Sequence, residues 1–287
     1  MSETKTEIKT RVEVPNDAQI LTNGNSLNGE HKKVQCNGLT RKRKNQFGDH
    51  DDDYMTVETW RKRWRKGQTK FHLEKVHPIL QKHYSWLTKE EEKQRFFLPL
   101  CGKSLDLKWL VDKGHVVVGN ECSAEGVKQF FDEHDLEYTV EPIEDISGDI
   151  HQAKNLDVTI YCCDFFLITP EIIGTFDAVW DRGSLAAIHP EDRKKYADVF
   201  FPLLKKDGRC LLDLFQVDHE HFAGPPHTFP PEELQTLLGK HLQVELVNTR
   251  DALTSWQKEW GVAYFIQNDY YITHKTEEVP NKEECEH

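Results

Sequence analysis

The chain has 287 residues, of which 37% are hydrophobic and 30% charged, and this length suits one large domain with disordered ends or two small domains. Its 15 Phe and 7 Trp exclude a wholly disordered or fibrous protein. No run of about 18 consecutive apolar residues occurs, and the first residues lack the hydrophobic stretch of a secretory signal. We therefore expect no membrane association and a cytoplasmic location.

The 37 basic and 49 acidic side chains leave a net charge of −12 when histidine is neutral. A chain of this charge repels polyphosphates, so we expect no binding to nucleic acid. The seven cysteines are odd in number, and Cys162 and Cys163 are adjacent, which makes an ordinary disulfide between them awkward. They are therefore predicted to be free thiols in a reducing compartment. The Asp-His-Glu-His group at 218–221 lacks further ligands nearby, and we predict no metal site.

Residues 1–53 contain few large apolar side chains and are rich in asparagine, glycine, lysine and aspartate. This composition cannot bury enough surface to offset the entropy of ordering, so it predicts a disordered leader. The basic run at 41–44 is followed by acidic residues and favours a solvated linker over a nuclear localisation signal. Residues 276–287 predict an acidic tail, which leaves 54–275 as the folded domain.

A short helix is predicted around Trp60 and Trp64, and it ends at Gly67. The two indoles are four residues apart and share one face of this helix, and Phe71 follows on the next segment. Most such stripes anchor a core. Because this helix adjoins a leader that contributes no core, it could instead form a lid that closes over a ligand. The pattern by itself favours neither interpretation.

Downstream, short apolar runs alternate with segments of helical periodicity. The predicted strands cover residues 95–100, 115–121, 158–166, 176–183, 209–217, 242–250 and 263–275. The predicted helices cover 104–114, 123–135, 191–204 and 231–241, and Ser123 is suited to cap the second of them. This alternation predicts an α/β fold with a mostly parallel sheet covered on both faces. Only a short loop joins the last two strands, so they should form an antiparallel hairpin at the sheet edge.

In open α/β sheets, ligands bind at the carboxyl ends of the strands. Gly102 lies in the loop after the first strand, where a glycine lets the backbone approach a ligand closely. Glu121 ends the second strand 19 residues later, where a carboxylate is placed to bind the hydroxyls of a ribose. The next two strands end at Asp164-Phe165 and at Asp181-Arg182. These positions together predict a site for a nucleoside-containing cofactor.

Each of these features also has an ordinary structural explanation. The phosphate-loop pattern and the G-x-G-x-x-G pattern are both incomplete around Gly102. Glu121 by itself fits a solvated strand end, and Asp164 fits a turn cap. Asp181 and Arg182 fit a surface ion pair worth at most about 1 kcal/mol. The adjacent cysteines fit core packing better than redox chemistry.

Five segments along residues 56–273 resemble the thiopurine S-methyltransferase family, in the same order. They are WRKRWRKGQTKFH, FFLPLCGKSLDLKWLVDKGHVVVGNE, YCCDFF, FDAVWDRGSLAAIHPEDRKKYAD and GPPH. The resemblance implies a single Rossmann-like class I methyltransferase domain, with a mostly parallel seven-stranded sheet, an antiparallel C-terminal edge hairpin and N-terminal lid helices. It also implies S-adenosyl-L-methionine as the cofactor and a small-molecule thiol, such as a thiopurine, as the substrate.

The resemblance further implies which residues of the lid segment and of the loop after the first strand bind the cofactor. Trp60, Trp64 and Phe71 are similar to the family's lid segment, which lies along the cofactor, and Phe71 also faces the acceptor. Leu100 resembles the family's contact in the first loop, and Gly102 belongs to the same cofactor-binding loop.

The remaining implied site residues end the second, third and fourth predicted strands. Glu121 resembles the family's ribose-binding acid, and Asp164 with Phe165 resembles its adenine-end pair. Arg182 resembles a residue at the reacting end, where it would bind cofactor and acceptor and steady the charge of the acceptor. Asp181 is the hypothesised partner that orients Arg182 or accepts a proton, so these two are the candidate catalytic residues.

One position departs from the family's pattern. The best-known members carry a basic residue close to the acceptor pocket, and a local match places Trp256 there in this chain. This departure bears on which acceptor is preferred rather than on methyl transfer. Three other functions stay open: a small-molecule thiol, thiocyanate or halide methyltransferase, an NAD-dependent oxidoreductase, and a non-catalytic cofactor-binding protein. No partner protein is predicted, so the chain is expected to be a monomer.

Overall fold

A computed structural model describes residues 43–48 and 54–275 of the chain. Nine strands within these ranges form one sheet. They are β1 (Arg95–Leu98), β2 (Val116–Glu121), β3 (Tyr138–Pro142), β4 (Gly148–Ala153), β5 (Val158–Cys163), β6 (Phe176–Arg182), β7 (Leu204–Val217), β8 (Leu242–Asp251) and β9 (Phe265–His274). Their order across the sheet is β3-β4-β5-β2-β1-β6-β7-β9-β8, and the five strands from β5 to β7 run parallel.

Helices pack on both faces of this sheet. In the described ranges they are α1 (Val57–Arg65), α2 (Pro78–Thr88), α3 (Leu105–Asp112), α4 (Ala124–Glu133), α5 (Pro170–Ile173), α6 (Ser184–Ala187), α7 (Arg193–Leu203), α8 (Pro231–Leu238) and α9 (Ser255–Glu259). Short 3₁₀ turns at Phe165–Leu167 and Pro190–Asp192 complete the connections. The prediction of an α/β fold covered on both faces is confirmed.

The central strands are apolar on both sides because each side packs under helices. Phe96 and Phe97 are adjacent in β1, and both are fully buried. Since successive strand residues point to opposite faces, Phe97 joins the core beneath α7 and α8, whereas Phe96 joins the core beneath α2, α3 and α4. Burying each such side chain stabilises the fold by roughly 1.5–3 kcal/mol. The short continuous apolar runs in the sequence follow from this two-sided burial.

The parallel strands bring their carboxyl ends to one edge of the sheet, and the following helices begin there. Ser104 caps α3 by accepting a hydrogen bond from Asp106 N at 3.2 Å. Ser123 caps α4, and its Oγ accepts from Gly126 N at 3.4 Å, as predicted. The first two strand-to-helix connections are therefore short and well defined, which fixes the loop at residues 99–104 next to the end of β2.

The predicted C-terminal hairpin is confirmed. β9 pairs antiparallel with both β7 and β8, and β8 forms that edge of the sheet. The loop between β8 and β9 is more structured than expected, because it contains the short helix α9. This helix contributes Trp256 to the lining of a cavity at the carboxyl ends of the strands.

The predicted count of seven strands is wrong for the described residues, since β3 and β4 extend the opposite edge with an antiparallel pair. Four of the five residues of β3 are exposed, and β4 begins at Gly148. A strand without a buried face lacks the apolar alternation on which sequence recognition depends. Pairing with β5 thus decided the structure of this segment.

Residues 43–48 fall within the predicted disordered leader but pack against the domain. Lys44 forms an isolated parallel bridge with Phe222, and the side chain of Gln46 donates to Pro225 O at 2.8 Å. For these six residues the prediction fails, because their partners come from distant parts of the chain that local composition does not reveal. The rest of the predicted leader (1–42 and 49–53) and the predicted tail (276–287) lie outside the described residues.

Five cysteines lie in the described ranges, and all five are free and buried. Cys162 and Cys163 belong to the cores on opposite faces of the sheet. Burial raises the pKa of Cys162 to about 12 and that of Cys163 to about 11, so neither is a thiolate at neutral pH. These contacts agree with the prediction of core packing. Cys36 and Cys285 lie outside the described residues.

Of the helices in the described ranges, none combines the length and the apolar character needed to cross a membrane.

Candidate functional site

A cavity of about 540 Å³ opens at the carboxyl ends of the parallel strands. The part that we call the loop half is lined by the loop after β1 and the end of β2, including Leu100, Cys101 and Glu121. The part that we call the hairpin half is lined by Phe215, Trp256, Trp260, Phe265 and Gln267. Since β6 lies between β1 and β7 in the sheet, Arg182 at its end lines the cavity between the two halves.

The loop half is built on a strained turn. Leu100 has φ 43° and Gly102 has φ 51°, so two residues of this loop adopt the left-handed region, which is unusual for leucine. Such strain persists where the surrounding structure holds it, and it concentrates at functional sites. A Cβ on Gly102 would lie 2.3 Å from Cε1 of His72, so this position requires glycine for close packing as well as for its φ angle.

Glu121 ends β2 with its carboxylate facing this turn. One oxygen accepts a hydrogen bond from Gly102 N at 3.1 Å, and the other accepts from Ser123 N at 2.8 Å and from Cys122 Sγ at 3.3 Å. Glu121 is only 6% exposed, and burial raises its pKa. The carboxylate is thus held rigidly at the cavity wall, as its predicted role requires.

Helix α1, the predicted lid, borders the loop half. Thr56 caps this helix by accepting from Thr59 N at 3.2 Å. Trp64 is 2% exposed and fits against Gly126 of α4, where an added Cβ would lie 2.8 Å from the indole. Trp60 and Trp64 both meet Phe71 edge-on, with ring centroids 5.9 and 6.0 Å apart. All three rings line the cavity, so Trp64 is both a buried anchor and part of the cavity wall, and the lid role remains a prediction.

Next to Phe71, His72 presents a buried nitrogen to the loop half. Its Nε2 is buried and has no hydrogen-bond partner among the described residues. Burial and the nearby Arg182 and Lys103 lower the pKa of His72 to about 3, so the imidazole is neutral. His72 was not predicted as a site residue, although it directly follows the predicted lid segment.

Arg182 carries a guanidinium that is only partly used by the protein. Its Nη1 donates to Phe71 O at 2.8 Å, which ties the lid segment to β6. Its Nε is buried without a hydrogen-bond partner, and the described part of the chain places no carboxylate in an ion pair with it. A guanidinium with free donors in a cavity favours an anionic or electron-rich ligand.

Asp181 does not orient Arg182. Its carboxylate accepts from Tyr196 Oη at 2.6 Å and from the backbone nitrogens of Ser184 and Leu185 at 3.1 and 3.3 Å. Asp181 is 1% exposed and lies outside the cavity lining formed by the described residues. These contacts correct the hypothesis that Asp181 orients Arg182: adjacent strand residues point to opposite faces, so Asp181 braces the start of α6 while Arg182 faces the cavity. The role of Asp181 as a proton acceptor remains a prediction.

Asp164 and Phe165 follow β5 but also lie outside that lining. Asp164 caps the short 3₁₀ turn and accepts from Phe166 N at 3.0 Å. Phe165 is 2% exposed and stacks on Tyr196, with ring centroids 4.6 Å apart. The turn-cap and core explanations therefore describe these contacts, and the adenine-end role remains a prediction.

Trp256 lines the hairpin half from helix α9. Thr254 begins this helix with a capping box in which Gln257 takes part. Trp256 meets Trp260 edge-on at 4.7 Å, and Trp260 stacks on Phe222 at 4.8 Å. The wall that results is aromatic, and the placement of Trp256 near the acceptor pocket remains a prediction.

A buried polar cluster supports the hairpin half. Asp213 is fully buried at the end region of β7, and Gln267 Nε2 donates to both of its carboxylate oxygens at 2.6 Å. His77 Nε2 lies 3.6 Å from Asp213 Oδ2. Burial and the neighbouring Asp269 raise the pKa of Asp213 to about 7, and burial together with Arg182 lowers that of His77 to about 3.

This cluster was not predicted from the sequence. The available signal was the presence of polar residues in strands that also carry large apolar side chains: one polar residue in LLDLF and three in FIQND. A polar side chain in such a run needs a buried partner, and partners contributed by other strands are not visible in one segment.

The arrangement suits two ligands bound side by side. The loop half offers a carboxylate at the end of β2, which fits a ribose, together with indole and phenyl rings that attract a cation. The hairpin half offers flat aromatic walls, and Arg182 lies between the halves. A nucleoside-bearing cation in the first and an aromatic, electron-rich molecule in the second would satisfy these groups.

Comparisons with known proteins add independent findings. The family described as Thiopurine S-methyltransferase (TPMT) matches residues 55–275. The thiopurine S-methyltransferase of Rattus norvegicus is 38% identical over 222 residues, which cover 77% of this chain and 92% of the rat protein. That of Panthera tigris is also 38% identical over 222 residues, which cover 77% of this chain and 91% of its own.

Solved structures agree with the fold. A SAM-dependent methyltransferase from Anabaena variabilis superposes with a TM-score of 0.50 at 14% identity, covering 76% of this chain and 95% of its own. Phosphoethanolamine N-methyltransferase 2 of Haemonchus contortus, solved in complex with S-adenosyl-L-methionine, gives a TM-score of 0.50 at 12% identity, covering 77% and 58%. The fold is thus that of the class I S-adenosylmethionine-dependent methyltransferases.

Proposed function

The chain belongs to the thiopurine S-methyltransferase family, and we propose that this S-adenosylmethionine-dependent methyltransferase methylates the sulfur of aromatic and heterocyclic thiols such as 6-mercaptopurine. One observation supports the proposal most directly. Arg182 holds free donors between a half-cavity with a ribose-type carboxylate and a half-cavity with aromatic walls. Family membership also favours methyl transfer over the nicotinamide-dependent and non-catalytic alternatives.

The loop half fits the cofactor. A carboxylate has about four acceptor positions, and three donors already bond Glu121. This leaves capacity for a ribose hydroxyl at the cavity wall. His72 Nε2 adds a buried polar atom without a partner among the described residues. When bound, S-adenosylmethionine supplies an electrophilic methyl group on a positively charged sulfur.

The lid has two proposed tasks. Trp60 and Phe71 present aromatic surface to the cavity, and a cation over such a ring gains roughly 0.5–2 kcal/mol. The same rings exclude water, which strengthens electrostatic interactions inside the site. The bond from Arg182 to Phe71 O holds the lid segment against β6, so cofactor binding and acceptor binding share this contact.

Arg182 is the proposed catalytic residue. In-line methyl transfer requires the sulfur about 3–3.5 Å from the methyl carbon, so most of the catalysis consists of alignment. A nearby guanidinium favours the ionised form of a thiol and lowers its pKa. Heteroaromatic thiols either ionise near neutral pH or react through the polarised sulfur of their neutral thione form, so stabilising negative charge at the sulfur is enough and a strong base is not needed.

Methylation of 6-mercaptopurine by the full-length chain tests the proposal, with an aliphatic thiol, thiocyanate and iodide as comparison acceptors. We expect S-methylation of the heterocycle at a kcat/KM well above those of the other acceptors. Faster turnover of thiocyanate or iodide would contradict the proposed acceptor class. Absence of any thermal shift with S-adenosylhomocysteine would contradict the proposed cofactor site.

We also propose that residues 54–275 form the methyltransferase domain and that the enzyme acts as a cytoplasmic monomer. The free and buried thiols support a reducing compartment, because oxidising compartments favour disulfides. Light scattering during size-exclusion chromatography tests the monomer, for which the expected mass is 33.6 kDa. A mass of twice that value would contradict it.

A further inference from the structure

Residues 43–48 form a structured segment outside the part of the chain that the family matches, which begins at residue 55. One end of the segment is anchored to the loop that precedes α8. Ala223 N donates to Lys44 O at 3.2 Å, and Arg43 Nη1 donates to His219 O at 2.5 Å. A turn follows, in which Phe47 N and Gly48 N donate to the side chain and backbone of Asn45.

The other end of the segment is anchored to the lid. The ring of Phe47 meets Trp60 nearly at right angles, with centroids 6.3 Å apart. The guanidinium carbon of Arg63 lies 4.2 Å from the centre of the same ring. The segment therefore links α1 to the 222–225 loop, and it does so beside the hairpin half, because Phe222 stacks on Trp260 of its wall.

Gln46 lies between these two anchors, and its side chain lines the cavity. Its Nε2 donates to Pro225 O at 2.8 Å, and Pro225 lines the cavity as well. A carbonyl oxygen only accepts hydrogen bonds, so this contact fixes the orientation of the carboxamide. One N–H of the NH₂ group bonds Pro225, and Oε1 is the atom of the carboxamide that can accept a hydrogen bond from a ligand.

We propose that residues 43–48 form part of the acceptor-site wall, and that Gln46 Oε1 accepts a hydrogen bond from a ring N–H of the acceptor. The preferred acceptors are then heterocyclic thiols in their N–H-bearing thione form, rather than benzenoid thiols. This inference rests on the proposed function and adds a specificity-determining residue to it. A lone pair of the thione sulfur forms the new S–C bond, the electrons of the donor's sulfonium–methyl bond remain on the donor sulfur, and the ring N–H proton is released to water.

The test compares 2-mercaptopyridine with thiophenol, which differ by one ring nitrogen, as acceptors for the full-length enzyme. A neutral hydrogen bond corresponds to a change of about two- to tenfold in kcat/KM. We expect Gln46→Ala and Gln46→Met to lower kcat/KM for 2-mercaptopyridine by this factor and to change that for thiophenol less than twofold. Gln235→Ala, an exposed glutamine on α8, is the matched control and should leave both values unchanged.

The two variants separate the wall from the hydrogen bond, because methionine keeps the length of glutamine but neither of its polar groups. Recovery of 2-mercaptopyridine methylation in Gln46→Met would overturn the role of Oε1. Equal losses for both acceptors in both variants would do the same. Failure of the wild-type enzyme to methylate either acceptor would instead contradict the proposed function, on which this inference rests.

Discussion

Replacement of Glu121 by Gln probes the cofactor site without changing the size of the side chain. In the wild-type protein both carboxylate oxygens accept from the backbone, one from Gly102 N and one from Ser123 N. A carboxamide has only one accepting oxygen. Its NH₂ group must therefore face one of these two backbone N–H groups, and that hydrogen bond is lost.

The size of the effect follows from these contacts. Hydrogen bonds to charged groups contribute about 1.5–3 kcal/mol, against about 1 kcal/mol for neutral ones. Losing the charge on a bond to a ribose hydroxyl, together with one backbone bond that holds the side chain, amounts to about 2–4 kcal/mol. At about 1.4 kcal/mol per tenfold change, affinity for S-adenosylhomocysteine should fall about 30- to 700-fold.

Isothermal titration calorimetry with S-adenosylhomocysteine measures this change, and Glu125→Gln on the exposed face of α4 is the matched control. Burial raises the pKa of Glu121, so ionising this side chain costs more free energy in the folded protein than in the unfolded chain. This cost lowers the unfolding free energy of the wild-type protein above the unfolded pKa. The neutral variant should therefore keep a Tm close to that of the wild-type protein without ligand. A change in affinity of less than threefold would refute the assignment of Glu121 to the ribose.

Three further predictions concern single side chains. Asp181→Asn should lower the unfolding free energy by about 1–3 kcal/mol, because an amide cannot accept all three hydrogen bonds that the Asp181 carboxylate accepts. A loss of kcat at unchanged Tm would contradict this structural role and support a catalytic one. Gly126→Ala should lower both Tm and cofactor affinity, since its Cβ would lie 2.8 Å from Trp64, whereas helix propensity alone would raise Tm. Urea titrations of wild type and His72→Gln between pH 7 and 4 should show a flatter pH dependence in the variant. The pKa of His72 is about 3 in the fold, so the unfolded chain gains a proton first and stability falls as pH drops below about 6.5; equal slopes would contradict this.

Most of the central fold could be predicted from the sequence because the information is local. The strand that contains Phe96 and Phe97 is apolar throughout, and a residue with a hydroxyl begins each of the two following helices. Such signals depend on burial and capping within a few residues. The edge strand β3 lacked them, since most of its residues are exposed and its structure depends on pairing.

The site was predictable where strand position decides it. Glu121 and Arg182 line the cavity because each ends a parallel strand, and the carboxyl ends of parallel strands meet at one edge. The same rule could not tell Arg182 from Asp181, since neighbouring residues point to opposite faces and only the packing shows which face is the cavity. The rule also did not predict His72, because this residue follows the lid segment and does not end a strand.

The sequence by itself determined the alternation of strands and helices, the edge where the ligands bind and the family of the chain, because each rests on local pattern or on ordered segments. Only the tertiary structure decided that Asp213 shares a cluster with Gln267 and that residues 43–48 pack beside the hairpin half. These contacts join residues more than 50 positions apart, as in the 179-residue separation between Gln46 and Pro225. A partner that distant leaves no trace in the composition around either residue, and its position follows only from how the sheet orders its strands.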